Sequence, residues 1–489
     1  MSVRANAGRT RRRLLALTIL LGTLFGAGLL WAASASAHAT LVSSDPLDGA
    51  RLKAVPTTVT ISFDEQVGLG TVGYLHVTDQ SGRRVDTGDG FHPGGDGTKI
   101  ANSLKPGLGD GTYTESFRVI SADSHPVAGV VRFVVGNGVL AASSVDVSTV
   151  NSATSTVFDI VRWISYTGFA LLGSAWLLLT VWPQGRDDRR ARLLVWTGWS
   201  LAAGGALAEL LVQGPYASGD GLTSVTRWSL LDGTLHTDYG QFHCGRLLLL
   251  GIVAVLLGAA LQGVERRRVR FEDAFWPLMV GVAFSFSATG HAATTNPPWL
   301  SEAADVIHLC AMSAWIGGLA MLVLAILPRR EPDELHAVLP VFSRVAFTAV
   351  IALAATGTYA AWRGIGMLRA IFTTEYGLLV SAKIALFIAL VLLGNLSRRA
   401  IQRRAVAGRD VVVDEVAEAI TFERMRRSVL VEIVLAALVL AATSVLVDQP
   451  RGPEAISVRE ARPVSGTAAL LGGRTATVTI EPGKHGTVT

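Results

Sequence analysis

Eight apolar stretches fill most of the C-terminal two thirds of the chain, at about residues 158–182, 191–212, 246–263, 274–290, 304–327, 345–362, 377–396 and 429–447. Each is long enough to cross about 30 Å of hydrocarbon as a helix. Half of the 489 residues are hydrophobic, 17% are charged and the mean hydropathy is +0.43, the composition of a polytopic membrane protein whose first partner is the lipid bilayer. The net charge of +5 carries no nucleic-acid signal, because the basic residues cluster in short loops and form no continuous stripe. Alternate loops hold Arg186, Arg189 and Arg190, then Arg266 to Arg268 and Arg270, then Arg329, Arg330 and Arg344, then the run from Arg398 to Arg427. The intervening loops offer little beyond Arg227, Arg363 and Arg369. Arginine bias therefore assigns the first set to the cytoplasm, leaving both the N-terminal region and the tail, 448–489, extracytoplasmic on a multi-pass protein of the plasma membrane.

The N-terminus is patterned for export. Arg4, Arg9 and Arg11 to Arg13 precede an apolar run, Leu14 to Trp31, and the small residues Ala35-Ser36-Ala37 follow, so residues 1–37 are expected to be a signal peptide. Cleavage after Ala37 would expose His38, whose free amine and imidazole together chelate Cu(II). Kept as an uncleaved anchor, the same run would leave His38 an ordinary residue.

Between His38 and about Val150 the pattern changes to short alternating runs broken by Gly, Pro and Asp, such as Val59 to Phe63, Thr112 to Phe117 and Val130 to Val135. That spacing predicts a small all-β sandwich or Greek-key barrel over 38–140, a linker over 141–157 and the membrane domain over 158–447. In the tail, Thr475 to Ile480 is expected to start a strand, too close to the end of the sequence for a further domain. In Ser121-Ala122-Asp123-Ser124-His125-Pro126-Val127, Asp123 and His125 lie two apart and project from one face of an extended strand. With the amine and ring of His38 they supply three nitrogens and a carboxylate oxygen, a donor set suited to tetragonal Cu(II). Alone, an Asp-x-His pair is more often a turn with a solvated acid.

His38-Ala39, Ser44-Asp45-Pro46, Phe63 near Glu65, and the run from Ser121 to Gly129 together resemble a CopC-type copper-resistance domain over about residues 38–140. The resemblance implies a cupredoxin-like, Ig-like β-sandwich that binds Cu(II) through His38, Asp123 and His125. No methionine lies between His38 and Val150, so the thioether ligands preferred by Cu(I) are missing and a Cu(II)-only domain is expected. The membrane part resembles the CopD family: Thr289-Gly290-His291-Ala292, His308 before Trp315-Ile316-Gly317-Gly318-Leu319, Phe342 to Ala346, Thr356-Gly357, Tyr376-Gly377, Lys383, Gly394-Asn395, and Arg427 with Glu432. A fused CopC and CopD chain resembles proteins implicated in copper uptake across the cytoplasmic membrane, with external cuproproteins or copper chaperones as further partners.

Within the eight spans, ionisable residues mark candidate pathways, because charge at membrane depth is costly. His291 and His308 fall near the outer ends of the fourth and fifth spans, His243 heads the third, and Cys310 and Met312 supply soft donors suited to Cu(I). Each histidine also has a plain structural use, bonding a neighbouring helix. Lys383 and Glu432 are expected to pair with each other or with arginine. No phosphate loop, aspartyl-phosphate segment or C-x-x-C motif is found, so no enzyme or ATP-driven pump is expected. The expected function is capture of Cu(II) outside and copper uptake inward. The alternatives are surface storage or delivery without transport, haem b bound by membrane histidines, and an oxidative copper enzyme, the last disfavoured by an aspartate in a position that oxygen chemistry needs open.

Overall fold

The computed structural model describes residues 39–69, 72–88, 90–121, 125–138, 151–262, 271–290, 292, 297–329, 331–407, 415–447, 449, 451–452, 455–456, 464–470 and 474–480. His38, Asp123, His291, residues 1–37 and most of the 141–157 linker lie outside them.

The N-terminal half-domain is a β-sandwich. One sheet runs β1 (Leu41–Asp45), β3 (Thr58–Phe63), β6 (Lys99–Ser103). The other runs β2 (Ala50–Leu52), β8 (Pro126–Val135), β7 (Gly111–Ser121), β4 (Val67–Gly68), with β5 (Tyr74–Asp79) also paired to β7. The strands form because their apolar side chains alternate: Val59, Ile61 and Phe63 of β3 are buried while Thr58, Thr60 and Ser62 face outward. Those side chains meet Leu75, Val77, Phe117, Val119 and Phe133 from the opposite sheet, with the Phe63 and Phe117 rings edge to face at 5.6 Å. The longest pairing is β7 with β8, antiparallel from Gly111↔Val135 to Ile120↔Pro126.

The helical domain follows. Asn151 caps α1 (Ser152–Leu172), its side-chain oxygen accepting from the Ala153 and Thr154 N–H groups. Asp188 caps α2 (Arg189–Ser218) in the same way. Then come α3 (Trp228–Leu235), α4 (Asp238–Leu261), α5 (Phe271–Ser287), α6 (Pro298–Met321), α7 (Pro332–Ile365), α8 (Glu375–Ala407) and α9 (Glu415–Leu446). Helix α1 is central and packs on α2, α6 and α9. Its approach to α6 depends on Gly317, where a Cβ would collide with the backbone of Ser174 and Ala170. Among the described residues six helices are long and apolar enough to cross a membrane, against the eight segments expected. The two remaining segments correspond to the shorter apolar stretches Ala274–Ser287 and Val431–Leu446.

In the tail the expected strand is present as β10 (Arg474–Ile480), but it pairs antiparallel with β9 (Val464–Leu470), Val464 opposite Ile480. Sequence reading missed β9 because Gly466, Ala468 and Ala469 carry little strand preference.

The two halves meet. Arg118 of β7 donates to the Ala217 carbonyl of α2 at 2.8 Å, a buried hydrogen bond. The His125 ring stands edge-on to Tyr216 at 6.5 Å, and Tyr216 stacks on Phe158 at 4.5 Å. The sandwich thus sits at the end of the bundle formed by the start of α1 and the close of α2.

Candidate functional site

At the rim of the sandwich β7 ends at Ser121 and β8 begins at Pro126, with His125 just ahead of it. Ser121 ties the two strands together: its N–H and its hydroxyl each donate to the His125 carbonyl, both at 2.9 Å. The His125 side chain is thereby fixed in a buried position, 5% exposed, under the edge of the sheet. The beginning of the described chain comes to the same place. The Thr40 N–H donates to the Asp64 carboxylate at 2.6 Å, the Asp64 N–H returns a bond to the Thr40 carbonyl at 3.2 Å, and three residues further on Val67 pairs with Ser121. Ala39 is buried in the sandwich core, so residues 39–40, Ser121 and His125 share one end of the fold. Of the three predicted Cu(II) ligands only His125 is described; among the described residues no group of three His, Cys, Asp or Glu side chains stands close enough to hold a metal.

One core position breaks the apolar pattern. Glu115 of β7 is fully buried, and neither carboxylate oxygen has a hydrogen-bond partner among the described residues. Burial, helped by the negative charges of Asp45 and Asp48, pushes this carboxyl up to about 9.

In the helical domain, His308 lies in the sandwich-side part of α6. Thr356 gives its only hydroxyl proton to the Ala352 carbonyl at 2.7 Å, so the 2.8 Å contact with His308 Nδ1 must be donated by the ring. That tautomer leaves Nε2 with the lone pair, the form in which imidazole binds a metal. Met312 lies one helical turn from His308 on the same face, whereas Cys310, two positions on, points about 200° round the helix and does not converge with it. Lys383, expected to pair with Glu432 or with arginine, has Asp305 and His308 of α6 as its electrostatic neighbours.

His243 is held differently. Its Nδ1 meets the Tyr239 carbonyl at 2.9 Å and its Nε2 meets Glu209 Oε2 at 3.0 Å. Arg246 Nη1 lies 3.2 Å from the same Nε2 and 3.5 Å from the same carboxylate, while its Nε and Nη2 bind the hydroxyl and carbonyl of Ser285, both at 2.9 Å. Both ring nitrogens are engaged, and a guanidinium occupies the space where a cation would approach.

Sequence reasoning missed Glu209, Arg246, Asp305 and Tyr216. The first three were legible as charges inside or at the mouth of apolar spans, the same signal that singled out the histidines. Tyr216 carried no signal, since its role depends on where another domain docks.

The CopC domain family matches residues 41–136, and the family Copper resistance protein D matches residues 336–446. Among curated proteins the chain is 28% identical over 472 residues to the Copper transport protein CutJ of Bacillus subtilis (strain 168), spanning 92% of this chain and 80% of that protein. It is 34% identical over 117 residues to the Copper resistance protein C of Pseudomonas syringae pv. tomato, 23% of this chain and 92% of that one. Among solved structures, CopC from Methylosinus trichosporium OB3b shares 24% identity over 22% of this chain and 100% of its own, with a TM-score of 0.19. PcoC, a methionine-rich copper resistance protein from Escherichia coli, shares 26% over 20% of this chain and 99% of its own, with a TM-score of 0.18.

Proposed function

Because the chain belongs to the CopC family of copper resistance proteins and carries a CopD domain behind it, we propose that it captures Cu(II) outside the cytoplasmic membrane and passes copper through its helical domain into the cell. Capture falls to His38, Asp123 and His125, an N,O donor set of the kind Cu(II) favours. The observation that carries the reading is the seat of His125: it lies against Tyr216 of the helical domain, so an ion leaving it is already at the mouth of the bundle. The similarity to a copper transport protein along 92% of the chain supports the same direction of thought.

Beyond the mouth, His308 is the first candidate acceptor, since Thr356 holds it in the tautomer that leaves Nε2 its lone pair, with Met312 one turn away on the same face; His291 lies outside the described residues. A thioether and an imidazole together suit Cu(I), so the ion would cross as Cu(I) once an external one-electron reductant has reduced it. Cys310 would serve only if α6 turned about its axis.

Copper content of cells under metal limitation tests the proposal. Cells with the intact chain are expected to accumulate more cytoplasmic copper than cells without it, and Tyr216→Ala is expected to lose that gain while the membranes still bind Cu(II). Equal cytoplasmic copper with and without the protein, alongside undiminished surface binding, would replace transport by storage or external delivery.

A further inference from the structure

The Glu209 and His243 contact is unusual in its proton count. A backbone carbonyl only accepts, so the 2.9 Å contact between His243 Nδ1 and the Tyr239 carbonyl requires the hydrogen to be on Nδ1. A neutral ring then presents a bare lone pair at Nε2, and a carboxylate likewise only accepts. Two acceptors facing each other at 3.0 Å repel; Arg246 Nη1, 3.2 Å from Nε2 and 3.5 Å from Oε2, eases that repulsion from the side, and a proton held between them, on Glu209 or on the ring, turns it into a hydrogen bond. The second carboxylate oxygen, Glu209 Oε1, is buried and has no hydrogen-bond partner among the described residues. Arg246 cannot fill that gap, since Ser285 and the face of Phe286, 3.6 Å from its guanidinium carbon, hold it in place.

We infer that Glu209 and His243 form a proton-binding site in the sandwich-side part of the helical domain, and that the proton they share is exchanged as copper moves. The second clause rests on the transport reading above; the first does not. The exchange moves one proton and no electrons: on leaving, it yields a Glu209 carboxylate beside Arg246 and a neutral His243 that keeps its Nδ1 hydrogen on Tyr239. The charged and titratable groups facing the pair are Arg246 and Tyr239 on α4, Tyr166 and Arg162 on α1, and, beyond Tyr166, Asp305 on α6; α5 contributes Ser285. With one arginine permanently at hand, the site can stand without its proton, which a lone buried carboxylate could not.

Access is through a single layer of rings. Phe158, Val212, Tyr216 and Tyr239 pack together between His125 and the pair, and Tyr239 stacks on the His243 ring at 4.0 Å. Tyr216 touches His125 on its other side. A shift of Tyr216 as an ion leaves His125 would therefore open the same layer that closes off the proton site.

The full-length protein in lipid, titrated with infrared detection, tests the site itself. A signal from a carboxyl C=O stretch or from imidazole ring modes should titrate in the parent, vanish in Glu209→Gln and return in Glu209→Asp, which keeps a carboxyl. A parent without such a signal, or one unchanged in Glu209→Gln, overturns the site. Liposomes holding the protein and a trapped pH dye, challenged with Cu(I) under ascorbate, test the coupling: copper entry is expected to carry a proton signal that Glu209→Gln loses. Copper entry in the parent with no proton movement overturns the coupling alone. No copper entry at all defeats the coupling together with the transport reading, and the infrared titration still decides the site.

Discussion

The sandwich keeps its reactive groups on its rim, whereas the bundle keeps them in its middle. His125 sits between β7 and β8, and the Arg83 pair with Asp79, at 2.9 Å, lies on the surface. In the bundle Glu209, His243 and Arg246 are all buried within 3.5 Å of one another, with Asp305, His308 and Lys383 forming a second polar group. The solvents explain the contrast. A domain in water fills its interior with apolar side chains and sends charge outward; a domain in lipid has an apolar exterior, so any charge it keeps must face other helices. An identical ion pair is therefore nearly worthless in one half and structurally decisive in the other.

Removing the buried arginine should break this contrast most visibly. Arg246→Met takes away the charge that faces the Glu209 carboxylate once the shared proton has left, and at a pH where that proton is lost it is expected to destabilise the helical domain by about 3–5 kcal/mol, read as thermal melting in detergent. The double variant with Glu209→Gln should recover much of that loss, and a single variant that melts like the parent would mean that the bundle interior tolerates charge as water does. Gly317→Ala comes next. Its new methyl group meets the Ser174 and Ala170 backbone, and overpacking of this kind costs about 1–3 kcal/mol.

Glu115 is a buried carboxyl inside the sandwich with no hydrogen-bond partner among the described residues, and it sharpens the rule. Its carboxyl stays neutral in the fold up to about 9, while in the unfolded chain it ionises above its ordinary 4.5. The unfolded state thus loses the proton first as pH rises, so sandwich stability should fall between those two values. Glu115→Val should remove that slope and, near pH 8, stabilise the domain by about 1–3 kcal/mol in chemical denaturation. An unchanged slope would show that another group causes it. Arg83→Ala is the smallest expected effect, about 0–1 kcal/mol, because its partner pair is exposed to water and salt.

How much of this was legible in the sequence also differs between the halves. Alternation along β3 and β7 could be read directly, because strand period is local; the stretch read as one extended strand through Asp123 and His125 instead has β7 ending at Ser121 and β8 starting at Pro126. The spans were equally plain as apolar runs. What went unread depended on contacts across the fold. Glu209 sits in a stretch whose average hydropathy hides it, and its partners are on the next-but-one helix. Cys310 and His308 look adjacent in sequence, yet a helix turns them to different sides. Tyr216 is an ordinary tyrosine until a second domain lands on it. Lys383 and Glu432 were expected to pair with each other or with arginine from their depth in the membrane, and helix order makes Asp305 an electrostatic neighbour of Lys383.

The central claim is that the rim of the sandwich captures Cu(II) through a histidine at the start of the mature chain. The most direct test is the EPR spectrum and Cu(II) affinity of the soluble domain, residues 38–150, prepared once with His38 as its first residue and once with an alanine ahead of it. Tight tetragonal binding in the first form, collapsing in the second, is the predicted result. Equal binding by both forms, or binding by neither, would contradict it.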